Sequence, residues 1–336
     1  MMFLKFIRIL FKTLFITNRV LFALLLYFAT MVFMIDSIIN TKKVEDADVV
    51  ILSASYEKTA SSRKGTGTGP KAIMKMLEGK LELFDRSYKK NVAEYVKIMH
   101  KDAGNISPLT PKKALDKIIA ESTKILDKNK FVFLLGGEHS VSLGLLTALS
   151  KKVNPKDVTV LQIDAHCDLR NDDSDYSDDP SNLAHSCVLR RVNELGYPLV
   201  QVGIRTYFKG EYEYFSNPKN NITVFEWGQN GRDLAPTWKP PAIADIIKAI
   251  KTKYVYITID VDGFDPAHMP GTGTAVQGGL EWWYGVELLE KVIKSKELIG
   301  ADIVEVAPMR DSILTEYGAA QLLYGMVAHK FRNRLK

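Results

Sequence analysis

The chain has 336 residues, 46% apolar and 25% charged, with 22 Gly, 13 Pro and two Cys. These proportions exclude a disordered, collagen-like or low-complexity chain, and two cysteines exclude a disulfide scaffold and favour a reducing compartment. Of the formal charge of +6, Lys5, Arg8, Lys12 and Arg19 supply +4, and the remaining 301 residues hold 41 basic against 39 acidic groups. No basic run with interleaved aromatics appears, so nucleic acid is not expected as a partner.

From Val20 to Ile35 the chain runs sixteen residues without a charge. A helix of that length spans about 24 Å, short of a ~30 Å hydrocarbon core. Three readings stay open: a membrane anchor that exports the body, an export signal without a small-x-small cleavage site, and an over-long gene start ahead of Met31 or Met34. The expected organisation is an amino-terminal extension over 1–45 and one domain over 46–336. The protein is expected to be cytoplasmic, with membrane contact through residues 1–35 left open.

After Asp46 short apolar runs alternate with helical stretches. Strands are predicted at Val49–Ser53, Phe131–Leu135, Val158–Ile163, Leu199–Ile204, Ile222–Glu226, Tyr254–Ile259 and Asp302–Val306. Most lack hydrophobic alternation, as strands covered on both faces do. Helices are predicted at Pro111–Leu126, Val141–Lys151, Ala184–Leu195, Ala242–Lys251, Gly285–Lys296 and Tyr317–Arg332. Leu81–Met99 reads equally as helix or strand, and Trp227–Pro241 reads as a loop. The alternation predicts one α/β domain around a largely parallel sheet.

Ligands of such sheets bind outside the carboxyl ends of the strands, and three predicted strands run there into metal-ligand residue types. They are Gly136-Gly137-Glu138-His139-Ser140, Asp164-Ala165-His166-Cys167-Asp168, and Asp260-Val261-Asp262 before Gly263-Phe264-Asp265-Pro266. Side chains at i, i+2 and i+4 of an extended segment share a face, so Asp164, His166 and Asp168 can converge, as can Asp260 and Asp262. Four such carboxylates repel one another unless cations neutralise them, and two divalent ions would do so. A hard, oxygen-rich set without a required thiolate suits Mn(II) better than Zn(II). Cys167 points to the opposite face and reads as packing. Taken singly, His139 reads as a loop histidine and the aspartates as helix caps; three clusters in one chain favour the metal.

These motifs, with Ser61-Ser62-Arg63-Lys64-Gly65-Thr66-Gly67-Thr68-Gly69-Pro70, His185-Ser186-Cys187-Val188-Leu189-Arg190-Arg191, Val200–Arg205 and Pro270–Leu280, resemble the ureohydrolases, the family of arginases and agmatinases. The resemblance covers roughly residues 48–330 and leans to bacterial and archaeal agmatinases. It implies a three-layer α/β/α sandwich around a mainly parallel eight-stranded sheet, and two Mn(II) per subunit. One ion would take His139, Asp164, Asp168 and Asp260; the other His166, Asp164, Asp260 and Asp262. It implies hydrolysis of the guanidinium of agmatine to putrescine and urea by a hydroxide bridging the two ions. Glu305 would bind the guanidinium, His185 would shuttle the proton, and Asp168 would join His185 among the catalytic residues. A small cationic guanidino substrate and a homo-oligomer, trimer or hexamer, follow from the same resemblance. The chain departs from the family pattern at Glu138, usually Asp, at Ala275, usually Pro, and in a longer segment between Asp168 and His185. That segment holds Asp172, Asp173, Asp175, Asp178 and Asp179, and reads first as a solvated loop, second as an electrostatic funnel for a cation. Two alternatives remain: an arginase or other guanidino-acid ureohydrolase such as guanidinobutyrase, and a non-catalytic membrane-tethered binding protein of the same fold.

Overall fold

Runs of Val, Ile and Leu too apolar to face water on either side set the architecture. The structure, a computed structural model, describes residues 37–228 and 239–336. The three readings of residues 1–35 therefore lie outside the described residues, as does most of the loop expected over Trp227–Pro241. In chain order the strands are β1 Val49–Ser55, the short antiparallel pair β2 Phe84–Asp85 and β3 Lys90–Asn91, β4 Ile98–Asn105, β5 Phe131–Gly136, β6 Val158–Ile163, β7 Leu199–Ile204, β8 Ile222–Glu226, β9 Tyr254–Asp260 and β10 Glu297–Val304. The helices are α1 Gly69–Leu77, α2 Pro111–Leu126, α3 Ser142–Leu149, α4 Val188–Glu194, α5 Lys209–Phe215, α6 Ile243–Ala249, α7 Trp282–Ser295 and α8 Leu314–Lys330.

Eight strands form one parallel sheet in the order β4-β1-β5-β10-β9-β6-β7-β8. Every residue of β5, β6 and β7 is buried. Alternate residues feed two cores: Phe131, Phe133 and Leu135 of β5 pack with Ile73 of α1, Leu288 of α7 and Leu323 of α8. Val132 and Leu134 join Ile118 of α2, Leu145 of α3 and Leu189 of α4. The result is the three-layer α/β/α arrangement. Among the described residues no helix is long and apolar enough to cross a membrane.

All seven predicted strands have a counterpart, the last shifted from Asp302–Val306 to Glu297–Val304; the ambiguous stretch Leu81–Met99 holds β2 and β3, and the eighth strand of the sheet, β4, begins at its end and was not predicted. Its Lys101, Asp102 and Asn105 are tolerated because it is an edge strand, paired only with β1 and mostly half-buried. Packing begins ahead of residue 46: Ile38 is buried, and the Asn40 amide donates to the carbonyls of Ala93 and Val96 and accepts from the Ile98 N–H. Strands β5, β10, β9 and β6 are consecutive neighbours, so their carboxyl ends open onto one crevice at the middle of the sheet.

Candidate active site

At that rim each strand hands over to a polar segment. His139 follows β5 in a single 3₁₀ turn, Asp164, His166 and Asp168 follow β6, Asp260 ends β9, Asp262 sits in the turn after it, and Glu305 follows β10. The β9 turn lies so close to β6 that a Cβ on Gly263 would stand 2.6 Å from the Asp164 nitrogen, so only glycine fits. The approach is tied by Asp262 Oδ1, which accepts the Ala165 N–H at 3.0 Å, while Asp260 Oδ1 accepts the Asp262 N–H at 2.9 Å. Asp168 and Glu305 are held at φ +53° and +62°, a left-handed conformation that non-glycine residues rarely adopt and that concentrates at functional sites.

The structure brings the sequence-predicted donors together. His139 Nδ1 lies 3.0 Å from Asp168 Oδ2, 3.1 Å from Asp164 Oδ2 and 3.6 Å from Asp260 Oδ2. His166 Nδ1 lies 3.1 Å from Asp262 Oδ2 and 3.5 Å from Asp164 Oδ1. Two sets could hold a metal ion, His139 with Asp164 and Asp168, and Asp164 with His166 and Asp262, and they share Asp164. All four aspartates are buried. Burial, then repulsion from Asp262 and Asp164, pushes the Asp260 carboxyl well above its ordinary range, and burial raises Asp262 as well. Burial works against charge on both imidazoles, yet the surrounding carboxylates raise them well above the ordinary histidine value. The same imidazoles hold Asp164 low against the opposing effect of burial. Left to itself the cluster must keep protons to remain folded, and divalent cations are the natural replacement.

The tautomer of His139 agrees. Its Nε2 meets Thr258 Oγ1 at 2.8 Å, and the Thr258 hydroxyl donates to Asp302 Oδ1 at 2.6 Å. With that proton committed, Thr258 accepts from Nε2–H, so Nδ1 is the nitrogen that holds a proton in the metal-free cluster and offers a lone pair once a cation replaces it. No carboxylate is aligned to hydrogen-bond Nδ1, which is buried without a partner. A buried ring nitrogen within 3.0–3.6 Å of three carboxylates suits a cation, which would take the place of a proton shared among them. The Gln162 amide donates to Asp164 Oδ2 at 2.6 Å and is itself held by Gln201. Thr258, Asp302 and Gln162 were not picked out from the sequence; the available signal was a lone polar residue inside an otherwise apolar strand.

Above the cluster lies a cavity of about 440 Å³ lined by His166, Asp168, Asp260, Asp262, Glu305 and His185, among others. Glu305 is buried, and burial followed by the neighbouring Glu138 pushes its carboxyl well up; its Oε1 accepts the His139 N–H at 2.8 Å. The acidic segment after Asp168, expected as a solvated loop, is exposed at Asp175, Asp178 and Asp179 but anchored at Asp173. Asp173 is buried and its Oδ1 accepts the Ser181 N–H, while its carbonyl accepts the N–H groups of Tyr176 and Ser177. This knot swings Tyr176 to the cavity, its hydroxyl 2.5 Å from Ser186 Oγ and its ring centroid 6.2 Å from that of His185. Arg170 pairs with Asp175 and lies over the rings of Tyr176 and Phe208. Cys167 is buried in the core, away from the cluster.

A model of the arginase family matches residues 47–328. The chain belongs to the arginase family. It is a ureohydrolase of that family, a hydrolase acting on guanidino compounds, and the two donor sets sharing Asp164 suit a family of binuclear metal hydrolases. The N(1)-aminopropylagmatine ureohydrolase of Synechocystis is 35% identical over 288 residues, covering 84% of this chain and 89% of that one. The agmatinase of Bacillus subtilis is 34% identical over 273 residues, covering 80% and 86%. Among solved structures, the agmatine ureohydrolase of Thermoplasma volcanium superposes with a TM-score of 0.71 at 27% identity, covering 88% of this chain and 93% of that one.

Proposed function

We propose that this arginase-family chain hydrolyses agmatine to putrescine and urea with two Mn(II) ions. The cluster of four buried aspartates, buried His139 and partly exposed His166, whose own charges do not balance, carries this reading. His139, Asp164, Asp168 and Asp260 would hold one ion, and His166, Asp164, Asp260 and Asp262 the other. The oxygen-rich donor set favours Mn(II). When bound, such an ion pair supplies a nucleophilic oxygen at neutral pH.

The chain's own groups bind, orient and protonate. Glu305 receives the guanidinium N–H groups, and the arriving cation offsets the cost of a buried carboxylate. Asp168 lines the cavity, where it would hold a cation beside the reacting carbon. As the new C–O bond forms and the C–N bond breaks, His185 gives a proton to the departing amine from Nε2, so that amine and urea leave. The tail would meet a wall that includes Tyr207, Glu211 and the rings of Tyr176 and Phe208, over which Arg170 lies, and the exposed acids Asp178 and Asp179 would draw cations toward the mouth.

The roomy cavity favours a second substrate, N(1)-aminopropylagmatine, a longer polycation with the same reacting group. A homo-oligomeric assembly, trimer or hexamer, is part of the same proposal. The test is urea release by the Mn(II)-loaded full chain on agmatine, N(1)-aminopropylagmatine, arginine and 4-guanidinobutyrate in parallel. Turnover confined to the two amine-tailed substrates supports the reading, and their ratio selects between them. Preference for a carboxylate-bearing guanidine overturns the substrate. Silence on all four, with two ions bound per chain, overturns the reaction.

A further inference from the structure

We propose that Thr59 and Glu138 form a positioning pair that aims His185 at the leaving nitrogen. The proposal rests on the reading of His185 as proton donor and names what holds that ring in place. The segment after β1 crosses the carboxyl end of β5 in close contact: the Glu138 N–H donates to the Tyr56 carbonyl at 2.9 Å, and a Cβ on Gly137 would stand 2.0 Å from that carbonyl oxygen. Glu138 is fully buried, and its carboxylate accepts four donors. Oε2 takes the N–H groups of Lys58 and Thr59, both at 2.7 Å, and Oε1 takes the hydroxyls of Thr59 and Ser140, both at 2.6 Å.

The Thr59 hydroxyl has one proton and two lone pairs. Its proton goes to Glu138, which leaves both lone pairs to accept, and two nitrogens of His185 lie within reach of them. One accepts the His185 backbone N–H at 3.0 Å, and Oγ1 lies 3.4 Å from Nδ1. That arrangement is attractive only when Nδ1 carries the proton. The other ring nitrogen, Nε2, 3.4 Å from Ser61 Oγ, is then the one that exchanges protons with the cavity. Glu138 thus fixes the direction of the Thr59 proton, and Thr59 fixes both the backbone and the tautomer of His185. Neither residue touches the reacting atoms.

The test uses the metal-loaded full chain. Thr59→Val keeps the shape and removes the hydroxyl, and kcat should fall roughly 10-fold or more, with KM within about twofold and two ions still bound. Thr59→Ser should restore most of the rate. Glu138→Asp, one methylene short of the 58–59 amides, should fall as Thr59→Val does. The decisive comparison is a cycle with His185→Asn. If Thr59 acts through the ring, Thr59→Val has no further effect once the ring is gone. A wild-type rate for Thr59→Val, or an equal slowing in the His185→Asn background, overturns the pair. Should His185→Asn itself turn over like wild type, the proton-donor reading fails separately. The pair is then judged by long-range ¹H–¹⁵N spectra of the Zn(II)-loaded chain: Nδ1–H in wild type that is lost in Thr59→Val supports it, and an unchanged tautomer overturns it.

Discussion

Asp168 and Glu305 stand at positive φ, where each costs on the order of 1 kcal/mol or more that a glycine would not incur. At both places a carboxylate is kept against the conformational preference of its backbone. Glu305 is also costly because it is buried, so Glu305→Gln separates recognition from folding. We expect kcat/KM to fall roughly 100-fold or more while the melting temperature holds or rises, measured by urea release and calorimetry on the same preparation. Asp302 acts one bond further out. It fixes the proton of Thr258 and through it the lone pair on His139 Nδ1. Asp302→Asn can return a donor to Thr258 and reverse that polarity, so cation affinity should drop about 10–100-fold. Equilibrium dialysis against Mn(II) reads this directly, and an unchanged affinity would show that the tautomer is set elsewhere.

Elements that are buried on both faces were legible, because β5, β6, β7 and β9 are apolar without alternation and end abruptly on charged residues. The same abruptness exposed His139, Asp164, His166, Asp168, Asp260 and Asp262 as a group. What escaped had weaker local signatures. Edge strand β4 is half polar because only one side of its backbone is paired, α5 has just seven residues, and Thr258 and Asp302 are single polar residues whose partners lie on neighbouring strands. Tyr176 reaches His185 only through the knot at Asp173, which no linear spacing announces. Arg205 belongs to the same class. It directly follows β7, and its guanidinium donates to the carbonyls of Gly203, Asp262, Gly263, Phe264, Val276 and Gln277, and so ties the β9 turn to the 270–279 segment. A lysine offers a single ammonium head and cannot span that set. Arg205→Lys should therefore lose about 2 kcal/mol in chemical denaturation, with weaker metal retention as the Asp262 turn loosens.

Across the whole molecule, the turn after α8 meets the residue just before β1, where Arg334 Nη1 donates to Asp48 Oδ2 at 2.6 Å. Partial burial opposes charge on Asp48, but Arg334 and the Lys97 N–H outweigh it and hold its carboxyl below the ordinary value. A lowered folded value means stability that is present above the unfolded pKa, about 3.9, and lost as pH falls through the folded one. Arg334→Ala should then cost about 0.5 kcal/mol at pH 7, and the gap from wild type in urea should close below pH 4. The strand order carries a further consequence. Among the described residues the last strand in chain order, β10, is not at an edge but in the middle, flanked by β5 and β9. The sheet cannot be finished by adding strands outward in order of synthesis, because β5 and β9 are joined only through residues 297–304. A nascent chain short of that point lacks Glu305 and bares two long apolar strand edges, a hazard for association with other chains. Completion of the site and closure of the sheet are thus one late event in the life of each molecule.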